Sequence, residues 1–148
     1  MPRSNRWLVV AGLLVACLQL SACTQESAEA ESTAEPAKVE AVEGSDLSRL
    51  TLTARAVERL GIQTAAISQE KVAGKQRKVV PYGAVLYDAK GETWVYVSPA
   101  PNTYVRERIT VDFIQGDRAV LVAGPAAGTT VATVGAAELY GTETGVGH

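Results

Sequence analysis

The run Tyr104-Val105-Arg106-Glu107-Arg108-Ile109-Thr110-Val111-Asp112-Phe113 alternates apolar and polar side chains over most of its length. Successive side chains of a strand point to opposite faces, so Val105, Ile109, Val111 and Phe113 fall on one face. Tyr104, Arg106, Arg108, Thr110 and Asp112 fall on the other. Glu107 interrupts the apolar face, and a β-bulge near Arg106 to Arg108 that carries its carboxylate outward accounts for it. The pattern predicts a half-buried strand whose polar face presents Tyr104, Arg106 and Arg108.

Working outward, the same chemistry repeats in shorter pieces. Upstream, Ala84 to Tyr87 and Thr93 to Val97 flank Asp88-Ala89-Lys90-Gly91, a hairpin turn with Gly available for positive φ. Pro99-Ala100-Pro101-Asn102 separates that pair from the long strand. Downstream, Gln115-Gly116-Asp117 turns into Ala119 to Val122, Gly124 to Gly128 forms a loop, and Thr130 to Val134 is the last strand. Ala136 to Tyr140 then closes with a helical turn before a Gly-rich tail, 142–148. At the other end, order begins at Leu47 to Leu52. Thr53 is placed to N-cap a short helix, Ala54 to Leu60, with Ala56, Val57 and Leu60 on one side, Arg55 and Arg59 toward solvent, and Gly61 free to take the left-handed C′ conformation. A strand from Ile62 to Ile67 follows. Lys71, Lys75, Arg77 and Lys78 crowd a Gly-containing solvated loop before Val79-Val80-Pro81 restarts extended structure. About six or seven short strands at regular spacing predict a mainly β fold over residues 47–141, a small antiparallel β-barrel or sandwich with a short N-terminal helix.

The preceding residues read as export and anchoring signals. Residues 1–22 carry Arg3 and Arg6, then an apolar run from Trp7 to Leu20, then small residues before Cys23. The run is shorter than the roughly 20 residues that cross a bilayer core, as expected of a signal peptide. Leu20-Ser21-Ala22-Cys23 resembles the bacterial lipobox, in which the Cys thiolate takes up a diacylglyceryl group. Lipidation at Cys23 places the mature protein in the bacterial cell envelope, held to a membrane and facing the periplasm. Residues 23–46 are rich in Glu, Ala, Ser and Thr, with Glu26, Glu29, Glu31, Glu35, Glu40, Glu43 and Asp46 against Lys38 alone. So little apolar area cannot offset the entropy of ordering, and the segment reads as a disordered, self-repelling tether.

The same arithmetic excludes several kinds of chemistry. The chain has 14 Lys+Arg against 16 Asp+Glu and a net charge of −2, which lacks the basic footprint a nucleic acid requires. With Cys17 removed in the signal and Cys23 acylated, no thiol remains for a disulfide or a soft metal. The single His, His148, is the last residue, where nothing holds it in catalytic register. Met1, the single Met, lies in the signal. Gly124-Pro125-Ala126-Ala127-Gly128 lacks the Lys of a phosphate-binding loop. The expectation is a protein with no catalytic residues, no metal site and no cofactor.

Leu50-Thr51-Leu52-Thr53, Gly61-Ile62-Gln63-Thr64, Val80-Pro81-Tyr82-Gly83-Ala84-Val85, Trp94-Val95-Tyr96-Val97 and Gly128-Thr129-Thr130-Val131 to Gly135-Ala136-Ala137-Glu138-Leu139 resemble, in order, the periplasmic adaptor subunits, or membrane fusion proteins, of efflux pumps of the resistance, nodulation and cell division class. In that family the two flanking parts of the chain come together as a small β-rich membrane-proximal domain that contacts the pump. Full adaptors insert a β-barrel, a lipoyl-like domain and a long helical hairpin between the flanks, whereas here only Ser68 to Lys78 or so joins them. The metal-exporting branch binds copper or silver through Met residues that have no counterpart in this sequence. The resemblance implies a reduced or accessory adaptor whose partners are the inner-membrane pump subunit and a full-length adaptor. Tyr104, Arg106 and Arg108 are its expected docking residues, because Tyr and Arg are enriched at interface hot spots. The alternative is an envelope lipoprotein that uses the same small barrel for an unrelated protein or small ligand. The lipobox generates the first prediction: membrane-extracted protein begins at an acylated Cys23, and Cys23→Ala yields a non-acylated form. Intact-mass measurement checks it, and an unmodified thiol at Cys23 contradicts it.

Overall fold

Helix α1 (Ala54–Leu60) forms where its capping signals place it in the computed structural model, which describes residues 35–145. Thr53 stays extended and its hydroxyl accepts the Ala56 N–H at 3.1 Å, while Gly61 takes φ 63° and its N–H closes on the Val57 and Glu58 carbonyls. The proposed signal, Cys23 and residues 24–34 lie outside the described residues, as do 146–148.

The described residues form eleven strands: β1 (Ala37–Ala41), β2 (Ser48–Leu52), β3 (Gln63–Ala66), β4 (Ser68–Val72), β5 (Lys75–Pro81), β6 (Leu86–Tyr87), β7 (Thr93–Ala100), β8 (Thr103–Arg108), β9 (Thr110–Gln115), β10 (Arg118–Ala123) and β11 (Thr130–Val134). A 3-10 turn at Tyr82–Ala84 joins β5 to β6, and helix α2 (Ala136–Thr144) closes the domain. One sheet has the order β1-β2-β8-β7-β11-β3 with β6 also on β7, and the second the order β4-β5-β10-β9; every pairing is antiparallel. The fold is mainly β, with two sheets that do not close into a barrel, so of the two expected forms it is the sandwich with a short N-terminal helix.

Two hydrophobic cores lie on opposite faces of the larger sheet. Between the sheets, Ile67, Val80, Val95, Ile109, Leu121 and Val131 pack together. On the other face, Leu50, Leu52, Tyr96 and Tyr104 pack with Ala56 of α1 and with Ala136 and Leu139 of α2. The layers are therefore helices, larger sheet and smaller sheet. Gly83 is required where the 3-10 turn crosses β11, because a Cβ there would meet the Thr133 carbonyl at 2.8 Å.

Several sequence expectations change. The run 104–113 is two strands, not one: β8 belongs to the larger sheet and β9 to the smaller, and the chain changes sheet at buried Ile109, whose N–H donates to the Thr93 carbonyl at 2.9 Å. The alternation keeps its phase through the change of sheet, with Ile109 and Val111 both against the inter-sheet core; helices cover the opposite face of β8, and the register shift beside Asp112 turns Phe113 to the side of Val120. Tyr104, expected outward, is buried in the helix-side core, and Phe113, expected inward, is 40% exposed. The pairing of β8 with β7 is regular through Arg106 to Arg108, and the irregularity falls on β7 between Val97 and Ala100. Order begins before Leu47, because β1 pairs along β2 from Ala37↔Leu52 to Ala41↔Ser48. An edge strand completes hydrogen bonds offered by a sheet already formed, so it needs little apolar area of its own. The expected tether from 23 to 46 therefore shortens at its C-terminal end. The basic residues expected in a loop lie on the β4–β5 hairpin, whose Ala73-Gly74 turn has φ 49° and 81°. Residues 142–144, assigned to the tail, complete α2.

These placements separate two neighbouring positions. Leu121→Ala removes a side chain from between the sheets and is expected to cost about 2–5 kcal/mol, whereas Phe113→Ala is expected to cost about 1 kcal/mol or less. Urea denaturation of both variants checks the ranking.

Candidate functional site

A chain of polar and aromatic contacts links the β6–β7 turn to the C-terminal helix. It starts at Asp88, whose Oδ1 accepts the backbone N–H groups of Lys90 at 2.9 Å and Glu92 at 2.8 Å. Its Oδ2 accepts the Trp94 indole N–H at 3.1 Å. Burial alone would raise the Asp88 pKa, but these donors and the nearby Arg106 charge outweigh it and hold the carboxyl below its ordinary value. Short polar turn residues favour this use of Asp, as the sequence implied. The indole so oriented carries the Arg106 guanidinium at 4.5 Å from its ring centroid, and the Tyr140 ring of α2 lies 5.3 Å from the same guanidinium.

Arg106 in turn faces Glu143 near the end of α2. Its Nη2 donates to Glu143 Oε1 at 3.3 Å and its Nε lies 3.1 Å from Oε2, off the N–H direction, so that contact is ionic and this N–H has no hydrogen-bond acceptor among the described residues. The Arg106 and Glu143 side chains are 12% and 4% exposed. Glu143 also accepts the Tyr96 hydroxyl and, at 3.3 Å, the Ser48 N–H. One carboxylate thus ties α2 to β2, β7 and β8. Burial pushes the Tyr96 phenol well above its ordinary pKa, helped by its hydrogen bond to Glu143 and by that group's charge. Burial also raises the Tyr104 phenol.

The three expected docking residues do not share a surface. Tyr104 is buried, Arg106 is engaged by Glu143, Trp94 and Tyr140, and Arg108 alone presents a charge, with its side chain 62% exposed although 2.6 Å from Glu92. Cys23 lies outside the described residues. Glu143 sits in the expected tail, and nothing in its local sequence marks it. Its role comes from a helix end brought against a strand 37 residues earlier. Among the described residues no group of three or more His, Cys, Asp or Glu is arranged to hold a metal ion. Two basic residues of β5 serve the fold: Arg77 reaches Asp112, and Lys78 Nζ donates to the Gly124 and Pro125 carbonyls. A groove of about 780 Å³ opens among β1, α1 and α2, lined by Pro36, Val39, Leu52, Ala56, Leu60 and Ala137, with exposed Arg59 and Glu138.

No family model, no curated protein and no solved structure matches the chain.

The buried phenol makes stability fall with alkali. The Tyr96 pKa is raised on folding, so its contribution is complete below the unfolded phenol's pKa of about 10 and is lost as pH rises above it. In urea denaturation between about pH 8 and 11, Tyr96→Phe should lower the slope of that loss, leaving the shares of Tyr104 and Tyr87, whose phenols burial also raises. An unchanged slope contradicts the assignment.

Proposed function

We propose that this protein is a lipid-anchored envelope protein, a reduced or accessory adaptor that docks on the periplasmic domain of an efflux pump and supports export across the membrane. Its work on this reading is binding, not catalysis, and it needs no cofactor. The observation that carries the reading is the composition of the larger sheet. Residues before Ser68 supply β1, β2 and β3, residues after Lys78 supply β6, β7, β8 and β11, and β2 pairs with β8 while β3 pairs with β11. The resemblance to the membrane-proximal domain of the adaptors implies such a union of two flanks. Here the intervening chain is only Ser68 to Lys78 or so, β4 and the first part of β5, with no room for the inserted domains that reach an outer-membrane channel. A role beside a full-length adaptor follows.

Anchoring supports the same reading. From Cys23 to the start of β1 there are 13 residues, 24–36, which span at most about 43–47 Å. A domain held that close to a membrane meets a membrane partner at an effective concentration around millimolar, so a weak contact suffices. The groove among β1, α1 and α2 favours the second reading, an envelope lipoprotein with a small-molecule ligand, because its volume lies within the range of ligand pockets.

In-cell cross-linking with mass spectrometry tests the proposal. Wild type should give cross-links to the pump and to a full-length adaptor. Cys23→Ala exported by an ordinary secretory signal should give far fewer, and Arg108→Glu in the anchored protein should reduce them less than loss of the anchor does. Equal cross-linking with and without the anchor removes the tether argument, and no pump peptides in any form hands the case to the ligand-binding reading.

A further inference from the structure

The helix layer stops short of the β1 edge of the larger sheet. Along β1, Ala37 and Val39 lie opposite Leu52 and Leu50 and share their face, while Lys38 and Glu40 pair with each other on the other face. Leu50 and Leu52 are buried under the helices, yet Val39 is 47% exposed. The groove among β1, α1 and α2 is the space left beside that edge. Leu52 and Ala56 line its buried side, and α2 contributes Ala137 and Gly141, which are too small to fill it.

Charges of both signs line the same groove. Arg59 stands on the last turn of α1 and Glu138 on the first turn of α2. Neither has an ion-pair partner among the described residues, so they do not neutralise each other. Glu35 adds a second carboxylate. A purely anionic ligand would face two carboxylates for one guanidinium, and a purely cationic one would face the guanidinium. A ligand that carries both signs meets Arg59 with its anion and Glu138 with its cation. Phosphate suits the guanidinium, which can bind it through two parallel N–H donors.

We propose that this groove binds a single-chain zwitterionic phospholipid of the lysophosphatidylethanolamine class, its acyl chain laid over Val39, Leu52 and Ala56, its phosphate on Arg59 and its ammonium on Glu138. The inference rests on the ligand-binding reading of the groove and names the ligand; it does not depend on docking to a pump. Membrane affinity grows with every buried methylene, so a two-chain lipid stays in its bilayer, whereas a single chain holds to a membrane only marginally and transfers to a protein groove. A second copy of this chain is the poorer occupant. Arg59 of one copy would suit Glu138 of the other, but two concave faces laid together enclose the void between them, and the core of a stable interface is packed as densely as a protein interior.

The test is calorimetric titration of the full mature chain carrying Cys23→Ala and exported by an ordinary secretory signal, so that no lipid of its own competes. The probes are lysophosphatidylethanolamine and the fatty acid and primary alkylamine of the same chain length, each below its micelle-forming concentration. The expected result is that the zwitterion binds at least about tenfold more tightly than either singly charged probe. Ala137→Phe, which fills the groove from an exposed helix position, should abolish binding with a melting temperature near that of the parent. Arg59→Glu, at an exposed position, should reverse the preference in favour of the alkylamine, a change that loss of stability alone would not produce. Equal binding of all three probes, or tighter binding of a singly charged one, overturns the zwitterion and leaves the ligand-binding reading standing. Zwitterion binding that survives both substitutions places the site elsewhere and overturns the proposal. A dimer in sedimentation that Ala137→Phe dissociates overturns it in favour of a second copy. No binding of any probe overturns it together with the ligand-binding reading.

Discussion

Strand β7 holds the two cores together, because its neighbouring residues Val95 and Tyr96 are each fully buried on opposite faces. Val95 packs between the sheets, and Tyr96 packs beneath the helices with its hydroxyl on Glu143. A slip of one residue would exchange them, sending a phenol into the apolar inter-sheet layer and withdrawing a donor from a buried carboxylate. The register of β7 is therefore set by both faces at once, a stronger constraint than one buried face supplies. The turns at its ends agree with it. Asp88 gathers the amides of the β6–β7 turn, and Pro101-Asn102, with Asn102 at φ 55°, returns the chain into β8.

The contact of Arg106 with Glu143 is the least expected consequence of that register. Withdrawing two charges from water costs several kcal/mol for each ion, and attraction between them offsets this only when further hydrogen bonds assist. Glu143 receives that assistance from Tyr96 and Ser48, and Arg106 from two aromatic faces. The value of the arrangement is geometric. Helix α2 buries only Ala136 and Leu139, so its apolar face alone gives weak reason for a particular angle or rotation on the sheet. A carboxylate that must meet a guanidinium, a phenol and a backbone N–H at one point permits few.

What was legible in the sequence was what short range decides. Thr53 and Gly61 bracket α1 through hydrogen bonds to residues within four positions, and Asp88 and Gly91 shape their turn in the same way. The last strand, Thr130–Val134, is bounded by its own glycines. What escaped depends on partners distant in the chain. Polar residues in Tyr104 to Phe113 indicate a solvent face only if one side of the sheet is wet, and here helices and a second sheet cover both sides of β8's neighbour β7. Arg106 therefore points inward to a carboxylate that no local pattern announces, and β1 forms on a template that its own composition does not reveal. The proposed lipid anchor is a different case, since a peptidase and a transferase would read Leu20 to Cys23 as sequence, before any fold exists.

Charge is also placed with economy on the outside of the smaller sheet. Val79 and Val120 pair across β5 and β10 on its outer face, yet both are buried. The ion pairs Glu70–Arg118 and Arg77–Asp112 span the same face, and the aliphatic stems of the two arginines can cover apolar surface while their heads stay wet. The residues of that cover also place charge on the edge strands β4 and β9, so one set of side chains shields two valines and opposes pairing at both edges of the sheet. No equivalent cover extends over β3 at the end of the larger sheet. An undefended edge is a hazard for a freely diffusing protein, because any extended chain is a potential partner. If the domain is confined by the proposed lipid anchor, the same edge would meet chiefly the surfaces of neighbouring membrane proteins, and confinement would turn a non-selective contact into a selective one.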